Sequence, residues 1–285
     1  MDKGECVGFN KLMYSLNYYL SKTPGLRRLL KWSTQKKINT FKSQEELRIK
    51  TDSRNLRNFE DKVFSQNGED GIIREIFKRI GTTNKFFVEF GVENGQECNG
   101  RYLLESCKWS GVWIDGSLDN VKQAKDKFNK YPIEVLDRFI TKENILEIFS
   151  QAKVPKDLDL LSIDIDGNDY WVWEELREYK ARVVVIEYNS KYLPHEDWTM
   201  PYNPKHIYDG SSYFGASLLS LKKLGEKLGY KLVSCDNMGV NAFFVREDLL
   251  GDQFTHVEDD VSYHYCCPKY KNLFFGHPSG SGKWR

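Results

Sequence analysis

Four residues at or just after the ends of two apolar segments have the chemistry of a nucleoside site. Glu89 lies in the apolar segment 86–90, and Gly91 and Gly95 come soon after it. Glycines past the carboxyl end of a buried strand let the backbone approach a ligand closely, because they have no Cβ. Asp115 ends the next apolar segment, where a carboxylate can accept hydrogen bonds from ribose hydroxyls. The glycine spacing fits neither a dinucleotide fingerprint nor a phosphate loop, so the pattern predicts a different nucleoside-binding loop.

A second group of polar residues follows the next two apolar segments. Asp164 comes after the first of them, and Glu187 and Asn189 come at the end of the second. Because the carboxyl ends of parallel strands meet at one edge of a sheet, we expect these side chains to converge. Oxygen ligands of this kind suit Mg²⁺, which lowers the pKa of a bound hydroxyl. The alternative is that the acids, with Asp166, hydrogen-bond substrate hydroxyls without a metal.

The pair Asp164-x-Asp166 also allows a different chemistry. At the frayed end of a strand both carboxylates can turn toward one cation, as in metal-dependent glycosyltransferases that hold a nucleotide diphosphate. Such an enzyme would not need the loop from Gly91 to Gly95 and Asp115 in this arrangement. A glycosyltransferase is therefore the second hypothesis from these residues.

His195 lies in a segment, residues 189–212, that is rich in Tyr, Pro, Asn and His and has no periodicity. Long loops at the carboxyl edge of a sheet often contact substrate. A neutral imidazole can accept a proton from a hydroxyl near pH 7, so His195, together with Asp164, is the predicted catalytic pair. The alternative for His195 is a packing role in an aromatic loop.

The elements that would position these residues alternate between strand and helix, which predicts an α/β fold. We expect a Rossmann-like, doubly wound, mostly parallel sheet with an antiparallel hairpin at its C-terminal end. Strands are predicted near residues 86–90, 112–115, 133–136, 159–164, 182–188, 230–235 and 241–246. Helices are predicted near residues 69–80, 97–108, 118–129, 142–152, 170–179 and 216–228.

The chain of 285 residues divides by composition into three parts. Residues 1–55 form a predicted helical extension, residues 56–250 the catalytic domain, and residues 251–285 a lid or tail. Within residues 1–50, apolar residues at helical spacing precede a basic stretch with Leu and Trp. This pattern predicts contact with an anionic membrane surface or another subunit, or else packing on the catalytic domain.

The composition excludes several classes of function. The formal net charge is +1, and basic residues are interspersed with acids, so a nucleic-acid partner is not expected. The six cysteines show no C-x-x-C pair, and the amino terminus lacks a signal-peptide pattern, which predicts a cytoplasmic protein with reduced thiols. No apolar run approaches the roughly 18 to 20 residues that cross a bilayer.

The four residues of the predicted nucleoside site match the first motif of the class I methyltransferases that use S-adenosylmethionine. Three further stretches resemble the FkbM-like branch of these enzymes: residues 64–73 (FSQNGEDGII), 160–169 (LLSIDIDGND) and 213–218 (YFGASL). The predicted hairpin is also similar to the end of the class I sheet. The motifs occur in the expected order, and the resemblance covers about residues 60–250.

This resemblance implies an S-adenosylmethionine-dependent O-methyltransferase. Its acceptor would be a small molecule or a glycan, methylated on a saccharide hydroxyl, and its setting would be polysaccharide biosynthesis. The implied cofactor contacts are Gln66, Gly68, Glu69, Glu89, Gly91, Gly95, Asp115, Ser117 and Asp164. Glu89 would anchor the methionine amino group and Asp115 the ribose, and the alternative for each is a capping role. Residues 66–69 would cross the methionine end of the cofactor. The alternative is that they only cap the start of the next helix. A non-catalytic methyltransferase-like binding protein is the remaining hypothesis.

Overall fold

The computed structural model describes residues 52–255 and 261–266 of the chain. Most of the predicted extension, residues 1–51, lies outside the described residues, and so does its predicted contact with a membrane or a subunit. Of the predicted C-terminal lid or tail, residues 256–260 and 267–285 lie outside them as well.

The described residues form one seven-stranded sheet with the strand order β3-β2-β1-β4-β5-β7-β6. Strands β1 to β5 pair in parallel, and β7 pairs antiparallel with both β5 and β6. The strands are β1 (Phe86–Phe90), β2 (Ser110–Asp115), β3 (Ile133–Asp137), β4 (Leu160–Ile163), β5 (Val183–Glu187), β6 (Tyr230–Cys235) and β7 (Asn241–Arg246). This topology confirms the predicted Rossmann-like sheet with an antiparallel C-terminal hairpin.

Six α-helices of the described residues cover the two faces of the sheet. They are α1 (Glu69–Ile80), α2 (Arg101–Cys107), α3 (Leu118–Phe128), α4 (Ile145–Gln151), α5 (Asp169–Glu175) and α6 (Leu218–Leu228). Short 3-10 turns lie at Leu56–Phe59, Glu247–Leu249 and Val261–Tyr263.

Each face of the sheet has its own apolar core. Successive side chains of a strand point to opposite faces, so Val88 and Phe90 of β1 enter one core and Phe87 enters the other. The core around Val88 includes residues of α4, α5 and α6, and the core around Phe87 includes residues of α1, α2 and α3. Both faces are therefore buried, which is why the parallel strands are almost continuously apolar.

Three helices are shorter than their sequence patterns predict, among them α4, which begins at Ile145 rather than near residue 142. The pattern predicts helix α2 from about residue 97, but the helix begins at Arg101, because Glu89 accepts hydrogen bonds from the amides of Asn99 and Gly100. Helix α5 ends at Glu175 rather than near residue 179. The longest described helix, α1, has 12 residues, and no described helix meets the length and hydropathy of a membrane span.

Candidate functional site

The loop after β1, residues 91–95, is tightly folded and is called the glycine loop below. Gly91 has φ of 67°, and its amide donates to the carbonyl of Ile114 at 3.0 Å. A Cβ on Gly91 would overlap the backbone carbonyl oxygen of Asp164. Gly95 has φ of 76°, and a Cβ there would press on the Trp113 ring. Both positions therefore require glycine, and the loop lies directly against the end of β4.

Asp115 joins the glycine loop to the start of α3. Its Oδ2 accepts a hydrogen bond from the Glu93 amide at 2.8 Å, and its Oδ1 accepts one from the Ser117 amide at 2.8 Å. The Ser117 hydroxyl caps α3 by accepting from the Asn120 amide. Each carboxylate oxygen has a second acceptor position, so Asp115 can still receive two hydroxyl groups such as those of a ribose.

Glu89 caps the amino end of α2. Its carboxylate accepts hydrogen bonds from the amides of Asn99 at 2.6 Å and Gly100 at 2.9 Å, and from Trp113 Nε1 at 3.2 Å. Burial raises the pKa of Glu89 to about 7, although these hydrogen bonds oppose the shift. The capping role is thus observed, and one of roughly four acceptor positions remains for the predicted contact with an amino group.

The segment before α1 is held over the same edge of the sheet. Glu69 is fully buried and accepts hydrogen bonds from the Asn67 amide at 2.7 Å and from Asn241 Nδ2 at 2.9 Å. Gly68 precedes the helix with φ of 104°, and Gln66 is exposed. Asn241 begins β7, and the sequence pattern indicates only a core-strand role for it. Its contact with Glu69 links the segment to the antiparallel hairpin.

Three carboxylates converge at the ends of β4 and β5, and we call Asp164, Asp166 and Glu187 the acid cluster. One oxygen of each lies within 4.8 Å of the others. Ile163 pairs with Ile186 in the parallel register, so Asp164 and Glu187 are the next residues on adjacent strands. Burial, followed by the neighbouring negative charges, raises the pKa of all three carboxyl groups, that of Asp166 to about 6.

Asn189, a predicted metal ligand, has another use in the structure. Its Nδ2 donates to the carbonyl oxygens of Ser212 and Phe214, each at 3.0 Å. Its Oδ1 accepts from the Lys191 amide at 3.3 Å. The side chain thus ties together the two ends of the loop that follows β5, whereas Asp166 is the third carboxylate beside Asp164 and Glu187.

The two histidines of loop 189–212 differ in their contacts. His195 is exposed in a turn closed by a backbone hydrogen bond from Glu196. His206 is half-buried, and its Nε2 lies 3.0 Å from the carbonyl oxygen of Asp166. A carbonyl oxygen can only accept, so Nε2 carries the proton and Nδ1 of the neutral ring is the acceptor. The described contacts therefore bring His206 against the acid cluster, which no spacing in the sequence indicates.

Further contacts fasten loop 189–212 to the segment between β4 and α5. Asn168 Nδ2 donates to the carbonyl of Asn203 at 2.8 Å, and Trp171 Nε1 donates to the carbonyl of Met200 at 2.8 Å. The loop therefore borders the acid cluster, in agreement with its predicted position at the carboxyl edge of the sheet.

Two exposed apolar residues follow the ends of β2 and β3, and the sequence patterns do not single them out. Leu118 is 52% exposed and Phe139 is 48% exposed. The Phe139 ring lies 3.3 Å from the position of a Cβ on Gly116. Exposed apolar surface near Asp115, the acid predicted to bind a ribose, would suit contact with a planar base.

Comparisons with known proteins show no family for this chain. No family model matches the chain. No curated protein matches it either.

Solved structures with some likeness include S-adenosylmethionine-dependent methyltransferases. The citrinin polyketide synthase CMeT domain has 13% identity and a TM-score of 0.41, and the match covers 62% of this chain and about half, 51%, of that chain. A SAM-dependent methyltransferase from Aquifex aeolicus has 16% identity and a TM-score of 0.36, with 60% and 87% covered. The N-terminal domain of EvdMO1, solved with SAH and D-fucose, has 12% identity and a TM-score of 0.38, with 62% and 80% covered. These values are too low to support a function, so the proposal below rests on the chain's own residues.

Proposed function

We propose that this protein is an S-adenosylmethionine-dependent O-methyltransferase that acts on a hydroxyl of a saccharide or glycan-like acceptor. The observation that carries the proposal is the overlap between a Gly91 Cβ and the Asp164 carbonyl. It means that the loop bonded to Asp115 and the acid cluster share one edge of the sheet. A nucleoside and an acceptor bound at this edge would be neighbours.

The residues present fit the cofactor. The glycine loop leaves backbone surface free of side chains, Asp115 retains acceptor positions for a ribose, and Leu118 and Phe139 offer apolar surface to a base. S-adenosylmethionine supplies a methyl group on a positively charged sulfonium when bound. The buried acids Glu69, Glu89 and Glu187 lie at this edge, and wherever they are ionised they favour a cation over an anion.

Methylation of a hydroxyl also requires a group that takes its proton. The sequence predicts His195 for this role, with Asp164 as the other catalytic residue. His206 is a further candidate, because its contact with the Asp166 carbonyl leaves Nδ1 as an acceptor.

The FkbM-like resemblance supports the saccharide class of acceptor. A role in surface polysaccharide assembly and a cytoplasmic setting belong to the same proposal, the first from the resemblance and the second from the cysteine pattern.

Calorimetric titration with S-adenosylhomocysteine tests the cofactor. We expect micromolar binding by the wild type, at least tenfold weaker binding by Asp115→Ala, and unchanged binding by Asp126→Ala, whose side chain is exposed on α3. Asp115→Asn keeps one acceptor oxygen and serves if the alanine variant is unstable. Radiolabelled S-adenosylmethionine would then identify the methylated saccharide. No binding of S-adenosylhomocysteine by the folded wild type would overturn the proposal.

A glycosyltransferase is the second candidate, because Asp164 and Asp166 both contribute an oxygen to one cluster. It would hold the diphosphate of a nucleotide sugar through a metal ion. This alternative predicts that a nucleotide sugar binds with Mn²⁺, that Asp166→Asn weakens this binding, and that S-adenosylhomocysteine has no effect.

A further inference from the structure

The acid cluster differs from every other buried carboxylate of the described chain in its hydrogen bonds. Eight acidic residues are buried among the described residues. Seven of them accept at least two hydrogen bonds: Glu69, Asp70, Glu89, Asp115, Asp159, Asp169 and Asp236. The eighth is Glu187, which accepts none from the described residues.

Glu187 is an unpartnered buried group. It is 5% exposed, and its Oε2 is buried without a hydrogen-bond partner in the described structure. A buried carboxylate that lacks donors loses its hydration and gains nothing in return, so native structures seldom contain one without a ligand. This oxygen belongs to the side chain that points toward Asp164 and Asp166.

In the described structure, Asp164 and Asp166 also lack hydrogen-bond donors. Within residues 52–255 and 261–266, no donor bonds the side chain of Asp164 or Asp166, and neither forms an ion pair. By contrast, the adjacent Asp169 accepts hydrogen bonds from the amides of Ile165 and Gly167, each at 2.8 Å. The chain therefore supplies donors to the structural acid of this turn and leaves three neighbouring carboxylates without them.

From this geometry we propose that Asp164, Asp166 and Glu187 bind a divalent metal cation of the Mg²⁺ or Mn²⁺ type. Their oxygens lie within 4.8 Å of one another, as is needed to share one ion. Carboxylate oxygens are hard ligands, which suit Mg²⁺ and Mn²⁺. Asn189 is not one of the three main ligands in this assignment, because its amide holds the loop.

The cation would neutralise repulsion among the three acids and lower the pKa of an acceptor hydroxyl at the cluster. This catalytic use rests on the proposed methyl transfer, but cation binding itself does not. His206 contacts the backbone of Asp166, so it would lie beside the ion without being required as a ligand.

Electron paramagnetic resonance with Mn²⁺ alone tests the site on the full-length protein after chelator treatment. We expect one bound Mn²⁺, displaced by Mg²⁺, and at least tenfold weaker binding by Glu187→Gln and by Asp166→Asn. Asparagine tolerates the φ of 52° at position 166, so this variant keeps the backbone. The charge-matched control Asp126→Asn should bind as the wild type does. No Mn²⁺ binding up to millimolar concentration, or equal binding by both cluster variants, would overturn the proposal.

Thermal unfolding gives a second readout that does not depend on S-adenosylmethionine. Without cation, Glu187→Gln should have a Tm at least as high as that of the wild type, because it removes an acid that lacks donors in the described structure and lies beside two other acids. With Mn²⁺, the wild-type Tm should rise and that of the variant should not. A variant that starts lower and still responds to Mn²⁺ would refute the assignment. Mn²⁺ binding without any S-adenosylhomocysteine binding would keep the metal site and remove methyl transfer.

Discussion

Gly91 and Asp164 lie so close that a Cβ on the glycine would overlap the aspartate's carbonyl oxygen. The first turn of the sheet therefore packs on the end of β4 through backbone atoms alone. This contact connects the predicted nucleoside loop with the acid cluster. A change at Gly91 should affect both.

Substitution Gly91→Ala should lower the free energy of unfolding by several kcal/mol and abolish binding of S-adenosylhomocysteine. The new Cβ meets the Asp164 backbone, and φ of 67° is also unfavourable for alanine by about 1 to 2 kcal/mol. Gly229→Ala is the matched control, because Gly229 has φ of 87° but nothing within 4 Å of a Cβ. Urea unfolding of both variants separates overlap from backbone strain, and equal losses would contradict the close contact.

Phe139→Ala should weaken binding of S-adenosylhomocysteine about tenfold, with little change in stability. The ring is 48% exposed in the described structure, so its apolar surface is available to a base. Loss of such a contact corresponds to about 1 to 1.5 kcal/mol. Leu146→Ala, at an apolar residue of α4 that is 38% exposed, is the control and should bind normally. Unchanged affinity in Phe139→Ala, measured by calorimetry, would exclude a base at this position.

The two histidines can be separated by kinetics once an acceptor is identified. His206→Gln should lower kcat by roughly 100-fold or more if Nδ1 takes the proton, with a small effect on KM. His195→Gln should have less effect, because His195 is exposed in its turn. A larger loss in the His195 variant would favour the prediction from the sequence over the one from the structure.

The raised pKa of Glu89 should make the stability of the protein depend on pH. Its pKa is about 7 in the folded protein, because of burial, and 4.5 for an unperturbed glutamate, so the folded state holds the proton between these values. The unfolding free energy should therefore fall as pH rises from 4.5 to 7 and level off above 7. The contribution is on the order of 3 kcal/mol.

The slope from Glu89 can be isolated with Glu89→Gln. This variant should be less stable at low pH, because its amide meets the donors of Asn99 and Gly100, but its stability should change less with pH. Asp236, whose pKa burial raises to about 7, contributes a similar slope, so the difference between the two curves is the quantity to measure. Parallel curves for wild type and variant would contradict the raised pKa.

Much of the fold can be predicted from contiguous residues. Segments 86–90, 230–235 and 241–246 are strands at their predicted bounds, because short apolar runs of β-forming residues specify a buried strand locally. Gly91 and Gly95 can also be identified as loop residues from the sequence, because few backbone positions require glycine and both lie directly after a predicted strand.

Contacts between distant residues cannot be predicted in this way. Glu69 meets Asn241 across 172 positions of sequence, and His206 meets Asp166 across 40. Neither pair has a local signal, because the meeting depends on the path of a whole loop or strand. The sequence indicates the capping role of Glu89 only as an alternative, since the same carboxylate at a strand end can serve a ligand or a helix.

The sequence by itself determined the order of strands and helices, the glycine loop and the acids at the strand ends, because these depend on local patterns and on the fixed period of a strand. Only the tertiary structure decided that the carboxylate of Asp166 joins those of Asp164 and Glu187 in the acid cluster. The backbone at Asp166 takes φ of 52°, and the Asn189 amide is held by two loop carbonyls. Side-chain direction at a strand end depends on such long-range contacts, which residue type and spacing do not specify.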